Sequence, residues 1–191
     1  MIYNCLEIYV MNILFLDADG VFNTYDPNDL SSRNINIDGE VIYDTKHSSR
    51  LIRNINHICS EYGLSIVFTS SWRLHCNINE MRYMFKYMDI HADLIGYTSD
   101  DILDTDYKFR LENDPNTISY NRGLQISQWI KNNKVFDYIV IDDDPSAGYG
   151  HENNFFQTDK MKGFNKYAMQ DAMVLMDKIF QPLRINKQVN I

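Results

Sequence analysis

Asp17-Ala18-Asp19-Gly20 sets two carboxylates two residues apart on a turn that a glycine can tighten. Both side chains can face one crevice from such a turn. One then acts as a nucleophile and the other exchanges protons, a division that holds where environment pushes two pKa values apart. A second acidic cluster, Asp142-Asp143-Asp144, lies far along the chain. If the two meet, four or five carboxylates share a small volume, which is prohibitively repulsive without a cation. Oxygen ligands of this kind suit magnesium, Mg²⁺. Thr69, Ser70 and Ser71 offer hydroxyls and backbone N–H groups to an anion. Arg122 precedes a predicted helix start, where a phosphate oxygen would meet both its guanidinium and the helix dipole. Acids, a divalent ion, hydroxyl donors and one cation together describe phosphoryl transfer: metal and Arg neutralise the transferring group while one Asp attacks phosphorus.

The elements that position these groups read as alternating strands and helices. Ile13–Leu16 before Asp17, Ser65–Phe68 before Thr69, and Tyr138–Ile141 before Asp142 are short apolar runs of the kind that form strands buried on both faces. Leu51, Ile55, Ile58, Cys59 and Tyr62 recur at helical spacing, with Gly63 as C-terminal cap. Asn77 with Glu80 resembles a capping box ahead of Met81, Met84, Phe85 and Met88. Leu124, Ile126, Trp129 and Ile130 predict a third helix, and Ala168, Ala172, Leu175, Met176 and Ile179 a fourth. This alternation predicts an α/β fold with a parallel sheet, whose ligands bind beyond the carboxyl ends of the strands. Two stretches break the pattern: Thr24–Asp44, polar and turn-rich, and Thr98–Asn121, which carries Asp100, Asp101, Asp104 and Asp106. The first reads as a small cap insert (about 24–44). The second reads as a solvated loop insert (about 98–121), since the spacing and glycine of a calcium loop are missing.

The chain has 191 residues, 45% apolar and 23% charged, which fits one globular domain over 11–191 after an N-terminal extension, 1–10. A net charge of −8 argues against a broad phosphate-tracking surface for nucleic acid. Three widely spaced cysteines do not suggest a disulfide framework, and no apolar run approaches the ~20 residues that span a bilayer. The start contains Glu7 and lacks the basic opening of a signal peptide. The expected compartment is therefore the cytoplasm. Abundant Asn and Tyr fit an AT-rich genome; were it viral, the compartment would be a host's. The glycines form neither a P-loop nor a dinucleotide fingerprint. Asp144 before Pro145 reads as a cap, while His75, Cys76 and His151 read as structural. Trp72 and Arg73 stand as candidate substrate contacts, able to stack on a base or merely to pack and pair.

Ile13–Asn23, ILFLDADGVFN, resembles the first motif of the haloacid dehalogenase (HAD) superfamily. IVFTSSWR resembles its second motif and YIVIDDDP its fourth. YNRGLQISQWI occupies the place of the third, with Arg122 where the family often has Lys. The chain is most similar to the small HAD domains of "Swiss army knife" RNA-repair proteins. These share a Ser-Ser-Trp-Arg segment, a Trp-bearing helix and a Thr-Asp…Gly stretch, matched by Thr158, Asp159 and Gly163. The resemblance covers roughly Met11 to Lys178. It implies a three-layer Rossmann-like fold with a minimal cap, and Asp17 as the nucleophile that forms an aspartyl-phosphate. It further implies that Asp19 protonates the leaving oxygen and then activates water. Asp17, the Asp19 carbonyl and Asp142 would hold Mg²⁺, with Asp143 bound directly or through water, and Thr69 and Arg122 would hold the phosphoryl oxygens. Read from the residues alone, Ser70 is either a phosphate contact or a simple cap, and Arg122 either a phosphate ligand or a surface salt bridge. Within the superfamily it resembles, an acid two residues after the nucleophile marks phosphatases and phosphomutases rather than dehalogenases, which favours a phosphatase.

The expectation is therefore a Mg²⁺-dependent phosphomonoester hydrolase acting on nucleotides or other small phosphate esters, with no membrane partner. Two rivals stand beside it: a phosphatase of RNA or DNA 3′ or 5′ ends, and a non-catalytic HAD-like binding module. The intact Asp17, Asp19, Asp142 and Asp143 weigh against the last, since binding alone does not need all four.

Overall fold

A computed structural model describes residues 11–24, 26, 31–37, 40–99, 121–133, 135 and 137–180, with backbone only at 31–46 and 121. The expected N-terminal extension, the Asp100–Asp106 run and nearly all of the 98–121 insert lie outside the described residues. Strand β1 (Asn12–Leu16) leads to the two strands β2 (Ser31–Ile37) and β3 (Glu40–His47). Helix α1 (Ser49–Tyr62), β4 (Leu64–Phe68), α2 (Ile78–Tyr87) and β5 (Leu94–Tyr97) follow. After these come α3 (Asn121–Asn133), β6 (Tyr138–Asp142), β7 (Phe155–Gln157) and α4 (Lys166–Ile179). Five strands form one parallel sheet in the order β5-β4-β1-β6-β7, which bears out the α/β expectation.

The alternation of β1 builds three layers. Leu14 and Leu16 join Ile66, Phe68, Ile139 and Ile141 in a core closed by α1, α2 and α4. Ile13 and Phe15 point the other way, into a cluster with Val67, Val140 and Ile126, where Trp129 stands edge-on to Phe15 at 5.6 Å. Residues 13–16 are completely buried, as expected of a central strand covered by helices on both faces. Each such side chain contributes roughly 1.5–3 kcal/mol of transfer free energy.

Register carries this order to the site. Leu16 pairs with Phe68 on one side and Ile141 on the other, so the next residues of all three strands emerge at one level. Backbone bonds continue past the strands: Asp17 N–H to Ile141 O (3.1 Å), Thr69 N–H to Leu16 O (2.9 Å), and Thr158 N–H to Asp142 O (2.9 Å). The carboxyl edge is thereby fixed to within a residue.

The helix signals lie where the spacing put them. Gly63 adopts φ 62°, ψ 44° and its N–H bonds the Cys59 carbonyl, a left-handed cap that costs a residue with a Cβ more than glycine. The cap insert is a finding in its own right, because Ser31–Ile37 and Glu40–His47 pair antiparallel, with a register shift between Ile35 and Asn36. The polar stretch read as turn-rich is thus largely strand, and its second strand runs three residues beyond the expected limit, to His47.

The Asn77 capping box is complete: Asn77 Oδ1 accepts from Asn79 N–H (2.9 Å) and Glu80 N–H (3.1 Å), and Glu80 Oε2 accepts from Asn77 N–H (2.7 Å). Asn77→Ala is expected to lower unfolding free energy by about 1 kcal/mol, read by urea denaturation. A loss below a few tenths would mean that packing of α2 alone holds its first turn.

Candidate active site

Asp17 directly follows β1 and is 2% exposed; Asp142 ends β6 and is wholly buried. Asp143, half-buried, follows directly. One oxygen from each of the three lies within 4.8 Å of the others. Arg122, in the first turn of α3, enters this group. Its Nη1 donates to Asp142 Oδ1 and Oδ2, both at 2.8 Å, and stands 3.4 Å from Asp17 Oδ2. His151 braces that approach: Nε2 donates to the Gly123 carbonyl (2.9 Å), so Nδ1 accepts from the Tyr138 hydroxyl (2.8 Å). The base of β6 is thereby tied to the helix that bears Arg122.

Burial and mutual repulsion shape the acidities. Burial raises Asp17 to about 6, against the attraction of Arg122. Burial and then the charge of Asp17 push Asp142 well above the usual carboxylate range, and burial raises Asp143. Burial works against the charge of Arg122, but Asp17 and Asp142 outweigh it and hold the guanidinium protonated. Among the described residues, one cation therefore faces three acids whose ionised forms are strained. Asp17 Oδ1 is buried without a hydrogen-bond partner. These observations fit a divalent cation, and its ligands would all be oxygens, as Mg²⁺ prefers.

Gly20 makes room for this cluster. It holds φ +70°, and a Cβ there would stand 2.3 Å from Asp143 Cγ. The turn is closed by Gly20 N–H to Asn23 O (2.7 Å) and by Phe22 and Asn23 N–H to Ala18 O. Thr158 props it from outside, with Oγ1 donating to the Gly20 carbonyl at 2.8 Å. Gly163 N–H to Asp159 O and Phe164 N–H to Val21 O complete the contact, which accounts for the Thr158, Asp159 and Gly163 stretch. Asp19 itself accepts from Asn23 Nδ2 (2.5 Å) and Trp72 Nε1 (3.1 Å).

The residues after β4 divide. Thr69 is fully buried with Oγ1 unpartnered, one strand over from Asp17. Ser70 caps the 3-10 turn Ser71–His75, its Oγ accepting from Trp72 N–H at 3.4 Å. Arg73 departs from the expected substrate contact. Its Nε donates to Thr98 O, Nη1 to the carbonyls of Thr69 and Ser70, and Nη2 to Gln125 Oε1, at 2.7–3.0 Å. It is buried and joins the ends of β4 and β5 to α3. Asp144 is the cap expected of it, with Oδ1 accepting from Ser146 N–H. Sequence reasoning missed Asn23 and Gln125 as partners of site residues. The one signal for Asn23 was an amide on the far side of the Gly20 turn.

The model of the HAD domain in Swiss Army Knife RNA repair proteins matches residues 13–169. The chain belongs to this family. Its HAD match spans every acidic, hydroxyl and basic group described above, from Asp17 to Thr158. No curated protein and no solved structure matches the chain.

The raised acidity of Asp17 has a consequence for stability. An acid shifted from 3.8 to about 6 stabilises the fold while protonated; that contribution is complete below about 3.8 and is lost as pH rises through about 6. Asp17→Asn, permanently neutral, is expected to match wild type near pH 4 in EDTA. It should exceed wild type by roughly 1–3 kcal/mol above pH 7. Denaturation at both pH values checks this, and an equal difference at the two would refute it.

Proposed function

We propose that this HAD domain is a Mg²⁺-dependent phosphomonoester hydrolase that works through an aspartyl-phosphate on Asp17. The observation that carries the reading is Asp17: a buried carboxylate with one oxygen unpartnered, at the end of the central strand, among Asp142, Asp143 and Arg122. Mg²⁺ would be held by Asp17, Asp142, Asp143 and the Asp19 backbone carbonyl. When bound, it neutralises phosphoryl charge and favours the ionised nucleophile.

The residues of the chain supply the steps. At neutral pH an acid of pKa about 6 is mostly ionised, so Asp17 can attack phosphorus. Its Oδ–P bond forms as the bond to the ester oxygen breaks, and Asp19 delivers a proton to that oxygen. Asp19 then takes a proton from the water that attacks the phosphoryl group, releasing inorganic phosphate and free Asp17. Thr69, with its unpartnered hydroxyl, and Ser70 contact phosphoryl oxygens. Arg122 does the same, shifting part of its grip from Asp142 and Asp17.

The substrate is a nucleotide or another small phosphate ester. A shallow, open depression lies beside Asp143, lined by Gln157, Thr158, Asp159, Lys160 and Met161. A chain of net charge −8 repels an extended polyanion. A second reading, hydrolysis at an RNA or DNA 3′ or 5′ end, draws on the match to HAD domains of RNA repair proteins. Among the described residues, no helix is long and apolar enough to cross a membrane.

The test compares kcat/KM for a nucleoside monophosphate and a matched ten-nucleotide strand across a salt series, with Mg²⁺ and with EDTA. The mononucleotide is expected to be preferred, with a shallow salt dependence and no turnover in EDTA. Preference for the strand, falling steeply as salt rises, would transfer the conclusion to end repair. Asp17→Asn should reduce turnover at least about a thousandfold, since an amide is a poor nucleophile. Retention of a few percent in pure protein would remove Asp17 from its role.

A further inference from the structure

Asp19 is held from two directions. Asn23 Nδ2 donates to Oδ1 from within the same turn and moves with it. Trp72 Nε1 donates to Oδ2 from the 3-10 turn Ser71–His75, which follows the neighbouring strand β4. An indole N–H only donates, so Trp72 cannot exchange protons. Its contribution to Asp19 is direction. The ring meets Phe22 edge-on at 6.0 Å and 86°, and the turn that bears it is held by Cys76 Sγ, which donates to the Trp72 backbone carbonyl at 3.4 Å. Phe22 is fully buried and directly precedes Asn23, so the ring and the turn it orients share one support.

We propose that Trp72 is a positioning residue: its indole N–H holds the Asp19 carboxylate at a fixed place relative to the phosphoryl contacts of β4. The proposal rests on the phosphomonoesterase reading given above. Without that bond, a half-buried Asp side chain on a glycine turn has, among the described residues, Asn23 alone to hold its carboxylate, and Asn23 gives no reference to β4. Trp72 supplies that reference, because it lies three residues beyond Thr69 on the same chain segment. The expected substrate contact at Trp72 is thereby given a different content: the polar edge of the ring is engaged by the acid rather than turned to a base.

Trp72→Phe keeps an aromatic ring for Phe22 and deletes the N–H. It is expected to lower kcat about tenfold for a nucleoside monophosphate while changing KM less than about twofold. The loss in kcat/KM, which reports formation of the phosphoenzyme alone, should be smaller for p-nitrophenyl phosphate, whose phenolate leaves with little help from an acid. In an Asp19→Asn background the same change should cost nothing further, because the group it orients no longer exchanges protons. Equal losses in kcat/KM on both esters, an undiminished loss in the Asp19→Asn background, or an unchanged kcat would overturn the proposal. Should Trp72→Phe fail to fold, the bond has a direct signature. The chain has two tryptophans, and Asp19→Asn should move one indole N–H resonance while leaving that of Trp129 in place. No movement of either would overturn the proposal as well. A folded wild type that hydrolyses neither ester would overturn the phosphatase reading and this role with it, even with the indole signal present.

Discussion

Arg122 brings one guanidinium into a volume shared by the carboxyl groups of Asp17, Asp142 and Asp143, whose ionised forms burial disfavours. That imbalance governs the rest. It is sustainable only because the sheet leaves these acids no alternative: β1 and β6 are adjacent, parallel and in register, and their last side chains must emerge together. Hydrophobic packing enforces the register, since a slip of one residue would turn Leu14 and Leu16 out of one core and Ile13 and Phe15 out of the other. The two clusters therefore stabilise the fold and hold the acids in electrostatic strain at the same time. Local strain of this kind persists where the surrounding structure over-determines it.

The strain is graded rather than uniform. Asp142 is locked by Arg122 and by the Asp144 N–H, and so serves as the fixed anchor. Asp17 has one oxygen near Arg122 and one with no partner, which leaves it both buried and available. Asp143 sits closer to solvent, pressed against the bare Cα of Gly20. Three identical side chains thus take different assignments from position alone, as environments rather than residue types set acidity and exposure.

The three central strands and the acids that follow them are legible in the residues alone. Helices cover both faces of these strands, which produces unbroken apolar runs, and each run ends directly at a site residue. The edge strands are illegible for the same reason. β5 has four residues, of which only the first is buried, and β7 has three, none of them buried, so neither leaves an apolar run. The paired strands of 31–47 carry Ser31, Ser32, Asn34, Asn36 and Asp44, residue types that composition assigns to turns. Arg73 shows a different limit. A cation beside hydroxyls suggests a phosphate, but its partners are mostly backbone carbonyls of Thr69, Ser70 and Thr98, which no residue code displays. The bond from Trp72 to Asp19 is hidden likewise, because it joins positions separated by 53 residues.

The prop from Thr158 to the Gly20 carbonyl spans 138 residues of chain. During synthesis the DxDG turn leaves the ribosome well ahead of its last supports, Thr158 and Phe164, which are made when most of the domain is already out. β1 can pair with β4 early, but its other edge must wait for β6. A nascent chain stalled short of that point would carry Asp17 on a turn that lacks its outer prop and its second neighbouring strand. Assembly of the centre is consequently a late, high-contact-order event, and the acids first crowd together only once nearly the whole sheet exists to restrain them.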